Sequence, residues 1–135
     1  MFGYNYCARY LDETILDRFE GKPHSLRTEE DYAEYRSMHL AHWDTSGYPD
    51  WPENLVEQGV ARVEHKDILN SVFYMPLNYL TAYLSNEPNP DGPLVIQENG
   101  EAKTMASKIR LTVHDDRIAK RDPDEIIEID RWDLS

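Results

Sequence analysis

The chain has 135 residues, with 26 Asp and Glu against 14 Lys and Arg, for a formal net charge of −12. This length fits a single domain, residues 1–135, and 40% apolar content with 9 Tyr and 3 Trp separates it from a disordered acidic tail. The charge opposes direct binding to nucleic acid or anionic lipid, since each phosphate contact needs a cation, and no apolar run approaches the roughly 20 residues that span a bilayer.

Cys7 is the only cysteine, so no intramolecular disulfide framework is available. The first residues, Met1-Phe2-Gly3-Tyr4-Asn5-Tyr6, lack the basic and apolar regions of a signal peptide. Both features lead to the expectation of a cytoplasmic, non-membrane protein.

Phe2, Tyr4, Tyr6, Ala8 and Tyr10 fall on alternate positions, which predicts a strand over 2–10. Residues 12–20 read as a helix, with Asp12 as N-cap and Gly21 as the stop. Thr28 followed by Asp31 resembles a capping box and opens a predicted helix over 29–43. Its buried stripe would be Tyr32, Tyr35, Met38, His39 and His42. Residues 44–52 form a Gly-, Pro- and aromatic-rich loop, and Pro52 opens a short helix that ends at Gly59.

A short strand is expected within 60–66. The strongest helical pattern covers 67–85, with Leu69, Val72, Phe73, Leu77, Leu80 and Leu84 on one face. Pro76 should kink that helix or start a second one. Further on, Leu94-Val95-Ile96 followed by Asn99-Gly100 reads as a hairpin. Ile109, Leu111 and Val113 alternate as a half-buried strand, Asp115-Asp116 reads as a turn, and Ile126, Ile127 and Ile129 predict a last strand. The order suggests an α+β fold in which N-terminal helices pack on a small C-terminal antiparallel β-sheet.

His39 and His42 would lie three apart on the predicted helix, with Asp44 just beyond, a spacing that can share a divalent metal. His24, His65 or His114 with Asp115 would complete such a site. This is the reading of a small metal-dependent enzyme or metal-binding domain. Cys7 with a His and an Asp is a nucleophile group in principle, although a lone cysteine in an aromatic strand usually packs as a small core residue. Asp122, Asp124 and Glu125 lack the spacing of a calcium loop, and the chain has no phosphate-binding glycine motif or CxxC.

The remaining pattern is acidic and aromatic. Asp12, Glu13, Asp17 and Glu20, then Glu29, Glu30, Asp31 and Glu34, then Glu53 and Glu57 recur on predicted helix faces. Trp43, Tyr48 and Trp51 would anchor an adjoining contact. The expectation is a cofactor-free, non-enzymatic binding protein that neutralises a basic, nucleic-acid-binding partner. A phage or mobile-element inhibitor of a defence complex, or a toxin immunity protein, would act in this way. An assembly subunit that oligomerises through Tyr74, Tyr79 and Tyr83 is the third reading.

Overall fold

The computed structural model describes residues 3–85, 94–98, 101–105 and 108–134. In chain order they form β1 (Tyr4–Arg9), α1 (Glu13–Gly21), a 3-10 turn (His24–Leu26), α2 (Glu29–Arg36), β2 (His39–Thr45), α3 (Trp51–Glu57), β3 (Arg62–His65) and β4 (Asn70–Pro76). They continue with α4 (Leu77–Ser85), β5 (Leu94–Glu98), β6 (Glu101–Met105), β7 (Lys108–Val113), α5 (Asp115–Ala119) and β8 (Ile126–Asp133). Six strands make one antiparallel sheet in the order β3-β4-β8-β1-β2-β7. β5 and β6 pair as a separate antiparallel hairpin, whose expected Asn99-Gly100 turn lies outside the described residues.

This arrangement corrects the expected order of helices first and sheet last. Strands and helices alternate along the chain, and the first and last strands are neighbours in the middle of the sheet. The predicted helix over 29–43 stops at Arg36, and His39–Thr45 becomes β2, paired with β1 on one side and β7 on the other. Leu40, Ala41, Trp43 and Thr45 are buried there, and a central strand satisfies their backbone groups as well as a helix would. The predicted helix over 67–85 also divides. Asn70–Pro76 is β4 and α4 starts at Leu77, so Pro76 bends no helix. A separate helix does begin here, with Pro76 ending the strand just before it instead of taking its first position. Val72 and Phe73 fit both patterns, because a short apolar run does not distinguish a buried strand from a helix turn. Asp115 and Asp116 open the short α5 instead of a bare turn.

Local signals near the caps carried through. The Asp12 side chain accepts from Ile15 N at 3.2 Å, and Thr28 and Asp31 form a reciprocal capping box. The predicted strands within 2–10 and 60–66 and around 109–113 and 126–129 are β1, β3, β7 and β8.

The core lies on one sheet face. Tyr6 and Ala8 from β1, Ala41 and Trp43 from β2, Phe73 and Met75 from β4, and Ile127 and Ile129 from β8 are fully buried. Their spacing is the two-residue period of a half-buried antiparallel sheet. Trp51 of α3 and Leu77, Leu80 and Tyr83 of α4 cover this face. Tyr6 stacks on Trp43 at 5.0 Å, and Trp51 stacks on Tyr83 at 4.1 Å. Neither α1 nor α2 has a buried residue. Among the described residues, no helix is long and apolar enough to cross a membrane.

Trp43 is part of the core, so Trp43→Ala should destabilise the fold by about 3–5 kcal/mol. A urea midpoint unchanged from the parent chain would show that the ring contributes nothing to folding.

Candidate functional site

The two candidate surfaces lie on the side of the sheet away from α3 and α4. The first is the α1–α2 hairpin. Its apolar side faces inward: Phe19 stacks on Tyr35 at 4.4 Å and meets Tyr32 edge-on at 5.3 Å. Arg27 lies 4.0 Å over the Phe19 ring and donates to the Phe19 carbonyl at 3.0 Å. Aromatic contact and the two caps therefore hold the hairpin together without buried core residues.

Its carboxylates divide into two groups. Asp12 caps α1; Asp31 takes Lys22 at 2.8 Å, and Glu34 takes Arg18 at 2.7 Å. The Lys22 hydrogen bond and the Thr28 backbone donor hold the Asp31 carboxyl down at about 2. Glu13, Asp17 and Glu20 form an exposed stripe at four- and three-residue steps along α1, and Glu29 and Glu30 are exposed at the start of α2. These five make no ion pair among the described residues. The outer face of α2 carries a shallow depression of about 480 Å³, lined by Glu29, Glu30, Tyr32, Ala33 and Arg36.

The aromatic loop does not extend this surface. Trp43 is 0% and Trp51 4% exposed, so the two expected anchors are core residues. An apolar ring gains more from burial in the chain's own core than from waiting at a surface. Only Tyr48 remains accessible, edge-on to Tyr4 at 5.0 Å. Glu53 is taken by Arg131 at 2.6 Å, whereas Glu57 is exposed. Of the tyrosines expected to form an oligomer patch, Tyr83 is buried, and Tyr74 lies under Arg62 with 4.1 Å between guanidinium carbon and ring centroid. Tyr79 is half-buried against the core.

The second surface is the polar face of the sheet. Asn5, Cys7 and Arg9 alternate with the core residues of β1 and face the other way. Their partners on β2 are Asp44, His42 and His39. The register shifts by one residue between the pairs Ala8–Ala41 and Arg9–His39, leaving Leu40 as the extra residue of a bulge. The bulge brings His39 and His42 to the same face, although they are three apart in a strand. The three residues singled out for a metal thus share a face, through sheet register and not through a helix turn. Asp44 is already engaged by Asn5 Nδ2 at 2.8 Å and by Arg110 at 3.1 Å. No set of three His, Cys, Asp or Glu that could hold a metal ion lies together among the described residues. His24 packs near Tyr32, and His65 on the edge strand bonds Ser71, both away from β2.

Cys7 sits between Asp130 of β8 and His42 of β2 in register. No hydrogen bond joins it to His42, and burial pushes its thiol up, away from the reactive thiolate. Next to this row, buried Arg9 binds Glu128 at 2.9 Å and lies 3.9 Å from Asp130. The sequence pattern gives no sign of this network, because its partners are 119 residues apart. The Arg9 guanidinium also lies 5.4 Å over the Tyr35 ring, which ties α2 to the end of the sheet. No protein-family model, curated protein or solved structure matches the chain.

His39 has the most displaced acid–base equilibrium on this face. Burial, followed by the charges of Arg9, Arg117, His42 and His114, lowers it from 6.5 to about 4. The Tyr35 ring packs edge-on against it at 5.9 Å. The folded chain therefore keeps His39 neutral where the unfolded chain takes up a proton. Stability from this group is complete above about pH 6.5 and is lost as the pH falls towards 4. His39→Gln should flatten the change in urea midpoint between near-neutral and mildly acidic buffer. An equally steep change in the variant would assign the pH dependence to other groups.

Proposed function

We propose that this chain is an acidic binding protein that occupies the basic, nucleic-acid-binding surface of a partner protein. The observation that carries this reading is the hairpin surface: five exposed carboxylates that make no ion pair among the described residues. On the same framework Arg18 and Lys22 are paired, Arg27 packs on Phe19, and Arg36 lines the depression beside Glu29 and Glu30. From Glu13 to Glu20 the helical rise is about 10 Å, so three charges follow one another along α1 at steps of about 5–6 Å. Such a row presents negative charge at a density that a phosphate-binding groove attracts. The hairpin is ordered before binding by the Asp12 cap, the Thr28–Asp31 box and the Phe19–Tyr35 stack. Less conformational entropy is then lost on association. A phage or mobile-element inhibitor of a defence complex and a toxin immunity protein are two settings in which such a chain would act. The partner's own nucleic acid would compete for the same groove.

A variant that combines Glu13→Gln, Asp17→Asn, Glu20→Gln, Glu29→Gln and Glu30→Gln tests the reading, because none of these carboxylates holds the fold together. Against a panel of basic DNA- and RNA-binding nucleases, the parent chain should displace bound duplex. Its affinity should fall steeply between about 50 and 500 mM salt. The variant should bind more weakly by about tenfold or more and show a shallower salt slope. Displacement that ignores salt, or a variant that competes as well as the parent, would rule out electrostatic occupation.

A further inference from the structure

Large apolar residues exposed on a small acidic chain are informative when they gather in one place. Among the described residues, Ile68 is 98%, Leu69 45%, Trp132 42% and Leu134 41% exposed. The backbone brings all four to one end of the sheet. Ile68 and Leu69 form the β3–β4 turn, and Trp132 pairs in register with Asn70 next to that turn. Asp133 N donates to the Leu69 carbonyl at 2.8 Å, and Leu134 N donates to the Gly3 carbonyl at 2.9 Å. The turn is pinned from within. Asp67 Oδ1 accepts from Leu69 N at 2.7 Å and from Asn70 N at 3.0 Å, and Lys66 N donates to the Asn70 carbonyl at 2.9 Å. A fully exposed isoleucine at the apex of a braced turn keeps a fixed position, so little ordering remains to be done on contact.

The charge around this tip selects the occupant. Among the described residues, Glu64, Asp67, Asp130 and Asp133 lie in or beside it. Lys66 is bound to Glu64 at 3.1 Å, Arg9 reaches Asp130 only at 3.9 Å from the far end of β1, and Arg131 is buried against Glu53, so carboxylates outnumber cations at the tip. A second copy of the chain would bring the same carboxylates and another net −12, which opposes self-association through this end. An anionic lipid surface meets the same repulsion. We infer that the β3–β4 turn, with Trp132 and Leu134, is a docking tip for a protein surface with an apolar socket rimmed by Lys and Arg. Arg9 and the α1–α2 hairpin lie at the opposite end of β1, and Glu128 and Trp132 are separated along β8 by about 13 Å of strand rise. The tip rests on apolar exposure and not on the hairpin carboxylates, so the two surfaces succeed or fail separately.

The test uses the full chain and three short synthetic peptides, one alternating Leu with Lys, one Leu with Glu and one Ser with Lys, followed by backbone amide NMR. The Leu–Lys peptide should shift the amides of residues 66–70 and 131–134, and the other two should leave them in place. Ile68→Ser with Leu69→Ser should weaken that binding by about tenfold or more. Ile68 is almost wholly exposed, so the change leaves the fold intact, as an unchanged amide spectrum elsewhere would verify. The hairpin variant with five neutralised carboxylates should bind the Leu–Lys peptide at the tip as the parent does. The inference is overturned if the Ser–Lys peptide shifts the tip equally, if the Leu–Lys shifts map only to residues 12–36, or if no shift occurs at about millimolar peptide. Sedimentation showing dimers that Ile68→Ser abolishes would also overturn it, by making a second copy the occupant.

Discussion

The pairing of β1 with β8 is the constraint on which the rest of the molecule depends. It joins residues 4–9 to residues 128–133 in the middle of the sheet, and β2 and β4 then pair on its two sides. Closing so long a stretch of chain costs entropy that only the contacts formed afterwards offset. Those contacts form on both faces together. Tyr6 and Ala8 meet Trp43, Ala41 and Ile129 in the core, while Arg9 reaches Glu128 on the other side. A slip of one residue in β1 would send Arg9 into the apolar layer and Tyr6 into the polar one. The register is therefore defended by hydrophobic burial and by an ion pair at once.

The two faces differ in what they ask of the chain. The core face takes apolar residues at alternate positions under the cover of α3 and α4. At one end it also buries Arg131, which binds Glu53 and lies over the Tyr4 and Phe73 rings. The polar face buries a guanidinium, which is tolerable because Glu128 and Asp130 accompany it. Removing one member of such a group leaves the others desolvated and uncompensated, so the polar face rigidifies the same central strands that the core holds. The bulge at Leu40 serves both faces. It keeps Leu40 and Ala41 buried and returns His39 to the side of Arg9 and Tyr35.

The acidic hairpin and the apolar tip are satellites of this sheet and sit at its two ends. Each is braced by short-range bonds instead of core burial: two caps and an aromatic stack for the hairpin, the Asp67 turn for the tip. The division between a charged end and an apolar end is one of emphasis, since Leu26 between α1 and α2 is 65% exposed and Glu64 and Asp67 flank the tip. Attraction acts over a Debye length and governs encounter, whereas apolar burial acts at contact and governs residence.

What the sequence by itself determined is local. The caps at Asp12 and Thr28 were legible because donor and acceptor lie three residues apart, and strands such as β7 and β8 because their alternation needs no partner to be seen. The stripe of Glu13, Asp17 and Glu20 was legible for the same reason. Tertiary structure decided the rest. Residues 39–45 and 70–76 carry apolar spacing that suits a helix turn and a strand alike, and pairing with β1 and β8 made them strands. The depth of Trp43 and Trp51, the shared face of His39, His42 and Asp44, and the pairing of Arg9 with Glu128 all follow from that register. Register is a relation between segments far apart in the chain, and neither segment alone encodes where its partner will lie.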